Sequence, residues 1–152
     1  MINNNNQQKF LLMSKWGVEK ELQGKYNNKS NANTVRDCIQ FYKTYHGTHY
    51  EIYLPKSGDV EIGVHYENYG KNINNNMLAN NLLNQYKSIF DKISNYGFKV
   101  AYVKSYGQSG AYWVSLEYKV SINDDNYDLY ANIIIKAMVE LIEELDKTGI
   151  NI

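Results

Sequence analysis

CIQFYKTYHGTHYEIYLPKSGDVEIGVHYE, residues 38–67, carries the strongest structural pattern in the chain. Apolar and polar side chains alternate with a period of two through CIQFYKTY (38–45), THYEIYL (48–54) and VEIGVHYE (60–67), the period of half-buried strands. His46-Gly47 and PKSGD break the alternation and predict two hairpin turns. With the second turn centred near Ser57, Tyr50, Ile52 and Leu54 share a face with Val60, Ile62, Val64 and Tyr66, joined through the first by Ile39 and Phe41. Gln40, Tyr42, His49, Glu51, Tyr53, Glu61, His65 and Glu67 fall on the opposite face, where Tyr42 is expected to stand across from Glu51 and His49 from His65.

Beyond this stretch, MLANNLLNQYKSIFDKIS (77–94) has helical spacing and ends before Gly97. FKVAYVKS (98–105) and AYWVSLEYKVSI (111–122) follow as strands around a YGQSG turn. This second hairpin is expected to put Phe98, Val100 and Tyr102 in the core, with Lys99 facing Glu117 and Val103 facing Trp113 across the open face. The last helix carries an apolar stripe of Leu129, Ile133, Ile134, Ala137, Met138, Leu141, Ile142 and Leu145. Gln7–Leu22 is a first helix that Gly24 ends, KYNNKSNANT (25–34) a loop, the asparagine runs at 3–6 and 74–76 spacers, and residues 1–6 a disordered Asn-rich tail. The order α-βββ-α-ββ-α predicts one two-layer α+β domain over 1–152, an antiparallel sheet with helices mainly on one face.

Composition narrows the function. Sixteen basic and sixteen acidic residues cancel, so no global field favours nucleic acid or anionic lipid, and nucleic acid is not an expected partner. Cys38 is the only cysteine, which excludes an internal disulfide and a zinc site built on several thiolates. No signal-like start and no apolar run long enough for a bilayer are present, so the expected location is cytoplasmic, away from membranes.

Chemical motifs are few. His46 belongs to the turn and His49 to the strand, so their spacing does not unite them. HGT resembles half of the paired signature of two-histidine phosphoesterases, but the remaining histidine, His65, lies in HYE. Glu117-Tyr118-Lys119 after Asp59 resembles the restriction-endonuclease pattern, with a helix and a strand intervening where that pattern needs neighbouring strands. P-loop, nucleophile-elbow and dinucleotide motifs are absent. His49 and His65, cross-strand neighbours with Glu51 and Glu67 nearby, are the residues to hold a divalent ion if one binds; no metal or other cofactor is assigned.

From Phe10 to Leu145 the element order resembles the type III secretion chaperone-like fold, with GAYWVSLEYKV and LYANIIIKAMVELIEELDK as its closing strand and helix. It is similar as well to a domain found beside nucleases. The first resemblance implies a helix-backed sheet that binds a protein partner. The expectation is therefore a non-enzymatic interaction module of chaperone, immunity or anti-defence type, a homodimer, binding through Tyr42, Tyr53, Trp113, His49, His65 and Glu51. A nucleic-acid accessory domain and a metal-dependent hydrolase using His49 and His65 are the alternatives.

Overall fold

A computed structural model describes residues 1–23, 31–70, 72–106 and 110–152. The chain runs α1 (Asn4–Gln23), β1 (Asn31–Val35), β2 (Cys38–Tyr42), β3 (Thr48–Tyr53), β4 (Glu61–Tyr66), α2 (Asn75–Gln85), α3 (Lys87–Ser94), β5 (Tyr102–Ser105), β6 (Tyr112–Glu117) and α4 (Tyr127–Asp146). The strands form one antiparallel sheet in the order β1-β2-β3-β4-β6-β5. This is the expected α+β architecture, with one strand more and the middle helix in two pieces.

One apolar core joins the helices to one face of the sheet. Ile39, Phe41, Tyr50, Ile52, Ile62 and Val64 meet Phe10, Leu11, Phe90, Ile134, Met138 and Leu141 there. That is the face assigned by alternation, and burying each large apolar side chain contributes roughly 1.5–3 kcal/mol. None of the described helices is long and apolar enough to cross a membrane.

The asparagine runs are structural, correcting their reading as spacers and, for residues 1–6, as a disordered tail. Asn3 Oδ1 accepts the Asn6 N–H at 2.8 Å, capping α1, and Asn74 accepts the Met77 N–H at 3.0 Å at the start of α2. Asparagine suits these positions because its short amide satisfies an otherwise unpaired N–H of a first helical turn. Ile2, 2% exposed, is a core residue, and buried Asn75 donates to the carbonyls of Asn68 and Gly110 at 2.9 and 2.7 Å.

Four further expectations change. Asn31–Val35 is an edge strand paired with β2, although its polar, largely exposed sequence gives no alternation of hydrophobicity to read. β2 stops at Tyr42 and a longer connection follows, so Gln40, not Tyr42, stands opposite Glu51. Between the Phe98–Tyr118 bridge and the Tyr102–Ser115 pair the second hairpin slips by one residue. Val103 therefore pairs with Val114 and Lys104 with Trp113, and Val100 and Tyr102 are exposed instead of core. Leu129, in the first turn of α4, is 66% exposed and outside the core stripe. The expected end of the first helix at Gly24 and the middle of the YGQSG turn lie outside the described residues.

Candidate functional site

The second face of the central strands is also buried. β3 is buried at its first five positions and β4 at all six, so side chains pointing away from the core are enclosed too. His49, Glu51 and His65 are 0%, 5% and 2% exposed. His46 lies exposed in the β2–β3 connection, as the turn reading requires.

Strand pairing assembles the cluster. His49 and His65 are direct partners across β3 and β4, and Glu51 sits two residues beyond His49 on the same face. Glu51 lies between the imidazoles, its Oε1 3.1 Å from His49 Nε2 and its Oε2 3.2 Å from His65 Nε2. His65 Nδ1 faces Glu67 Oε1 at 3.7 Å, and the Tyr106 hydroxyl donates to the same oxygen in a short bond. Gln40 Nε2 donates to Glu51 Oε1 at 3.4 Å. One donor atom from each of His49, Glu51, His65 and Glu67 fits within a mutual separation of 4.8 Å.

Aromatic rings enclose this cluster. Tyr45, from the connection after β2, stacks on His49 at 6.0 Å between centroids, while Tyr106 and Trp113 lie 4.3 and 4.1 Å from the His65 ring. Trp113 reaches that position because residue 63 has no side chain: a Cβ there would lie 2.5 Å from Trp113 Nε1 and 1.9 Å from the Val114 carbonyl oxygen. Lys104 Nζ sits over the indole at 5.0 Å and ion-pairs with Glu61.

A cavity of about 590 Å³ opens beside the cluster, lined from the β1–β2 turn, β2, β3, β4, β6 and the β5 end. Its wall includes Glu51, His65, Glu67, Tyr53, Tyr106 and Trp113, with Glu61 and Lys104 further along. A second hollow of about 400 Å³, between α1 and α4, has no buried residue in its lining and is a surface groove.

Electrostatics follows from burial. Burial pushes the His65 imidazole below its ordinary pKa against the opposing pull of Glu51, favouring the neutral, metal-ligating form. The His65 contact, aided by Tyr106, holds Glu67 below the usual carboxylate range despite partial burial. Burial, then the Glu67 bond, pushes the Tyr106 hydroxyl up, so it stays a donor. Burial first, then nearby Glu51, raises the Cys38 thiol, which removes it as a thiolate nucleophile. Glu61 is pushed up by burial while Lys104 pulls it down, and its cross-strand partner Glu117 is held low chiefly by the Tyr102 hydroxyl.

Of the six expected binding residues, His49, His65, Glu51 and Trp113 come together in one enclosed site. Tyr53, half-buried, lines the cavity, and Tyr42 stands apart against Tyr45. Trp113 is 2% exposed, so the expected open aromatic surface is instead a pocket wall. Sequence reasoning missed Lys104 and Tyr106: the one-residue slip of β5 turns Lys104 to this face, and nothing in YGQSG marks Tyr106 as a carboxylate partner. Comparison with known protein families, with curated proteins and with solved structures finds no match to this chain.

Proposed function

We propose that this chain is a small-ligand-binding protein whose occupant enters the cavity on the sheet face away from the core. The observation that carries this reading is the burial of two ionisable side chains, Glu51 and His65, in the wall of a cavity this large, with the buried His49 in contact with Glu51. Removing such groups from water costs stability that an apolar cluster would not. Binding sites keep such groups because they meet a ligand. Asp37, Glu51, Glu61 and Glu67 outnumber Arg36 and Lys104 around the cavity, so without a bound metal ion its field favours a cation. A protein-docking surface on the same face would need Trp113 as its anchor, and its burial leaves that reading with Tyr42 and Tyr53 alone.

Replacing the cluster by apolar residues of similar size tests the reading. In chelator, the triple variant His49→Leu/Glu51→Met/His65→Leu is expected to keep its circular dichroism spectrum and gain about 1–4 kcal/mol in urea unfolding. A loss of stability would make the cluster part of the scaffold and remove the reason for calling the cavity a binding site.

A further inference from the structure

We infer that His49, Glu51 and His65 hold a divalent transition-metal ion, with Glu67 as the carboxylate that orients His65. This rests on the cavity reading only for what meets the ion, because the ion can be measured alone. Three donors, two imidazoles and a carboxylate, are presented from neighbouring strands whose register is fixed by hydrogen bonding. They make the two-histidine, one-carboxylate set used by open zinc and iron sites.

The separations of Glu51 from the two imidazoles match those of adjacent ligands on one ion. Ligand bonds of about 2.1 Å place adjacent donors roughly 3.0 Å apart in an octahedron and about 3.4 Å apart in a tetrahedron. The Glu51 oxygens stand 3.1 and 3.2 Å from the two Nε2 atoms.

A second observation points the same way. Among the described residues, neither ring nitrogen of His65 makes an aligned hydrogen bond, and His49 Nδ1 has no partner either, though both side chains are almost wholly buried. Buried polar atoms of folded proteins are overwhelmingly satisfied, and an ion on His65 Nε2 would satisfy one of these. His65 Nδ1–H would then face Glu67, itself held by Tyr106. A ligating histidine commonly has such a carboxylate behind it, fixing its tautomer. Three protein ligands leave a coordination position free, which distinguishes a reactive from a structural zinc site. Glu51, His65 and Glu67 line the cavity, so that position has room for water or ligand beside it.

The test uses the full chain stripped with chelator, then equilibrated with Zn²⁺ or Co²⁺ alone. One ion per chain by elemental analysis is expected, with visible Co²⁺ absorption from a site of low symmetry. His49→Ala and His65→Ala should each weaken binding at least about 100-fold, and His46→Ala, in the exposed connection, should bind as wild type. Glu67→Gln should weaken binding by about 10–100-fold while leaving one ion per chain and the Co²⁺ spectrum in place, as expected of a positioning residue. No retained ion in the wild type, or equal loss with His46→Ala, overturns the site. Should His49→Ala fail to fold, His49→Gln serves, and binding as tight as wild type there also overturns it. The cavity reading fails separately, by a loss of stability in the metal-free triple variant.

Discussion

The two faces of β3 and β4 differ in chemistry but hardly in burial. Tyr50, Ile52, Ile62 and Val64 point to one side and are fully buried; His49, Glu51 and His65 point to the other and are at most 5% exposed. On the first face enclosure contributes stability, and on the second it costs stability. Strands this central would be easier to stabilise with apolar residues on both sides, as buried sheets usually are. A polar face that is nevertheless enclosed, with a cavity against it, stands apart from the face that holds the fold together.

Substitution on the core side should produce the largest loss. Ile62→Ala removes three buried carbons from the sheet centre and is expected to cost about 2–5 kcal/mol in denaturant unfolding. A cost under about 1 kcal/mol would mean that the two faces do not differ energetically and would break the comparison.

Gly63, next along β4, offers a sharper cut because its missing side chain serves the polar face. An alanine Cβ would run into the Val114 carbonyl and the Trp113 indole, so Gly63→Ala should cost about 1–3 kcal/mol through overpacking. It should also move Trp113 off His65, read as a displaced indole N–H resonance in nitrogen-15 NMR spectra. Unchanged stability together with an unmoved indole would show that Gly63 is not what seats Trp113 in the pocket wall.

How much of this was legible follows the same division. Period-two alternation in residues 38–67 assigned the core face and paired His49 with His65 correctly, because a buried face fixes register strongly. It could not say that the polar face is closed. That closure comes from Tyr45, Tyr106 and Trp113, side chains whose positions depend on a longer β2–β3 connection, a register slip in β5 and the space at Gly63. None of these leaves a periodic signal. NANTV pairs as β1 despite being polar and largely exposed, since an edge strand can be held by backbone hydrogen bonds without a hydrophobic pattern. Asparagines read as spacers gain their meaning only from the helix starts they cap.

The slip in β5 gives the smallest effect and the finest test of how the faces are divided. Alternation alone would send Val100 into the core and Val103 to the open face; the observed pairing leaves Val100 70% exposed and packs Val103 against the core opposite Val114. Valine and threonine have nearly the same shape, so exchanging them changes polarity with little change in volume. Val103→Thr is expected to cost about 1 kcal/mol because a hydroxyl enters a partly apolar site. Val100→Thr should stay within about 0.5 kcal/mol, as for an exposed position. Reversal of that order in paired urea titrations would restore the unslipped register, return Val103 to the polar face opposite Trp113, and remove Lys104 from the cavity wall.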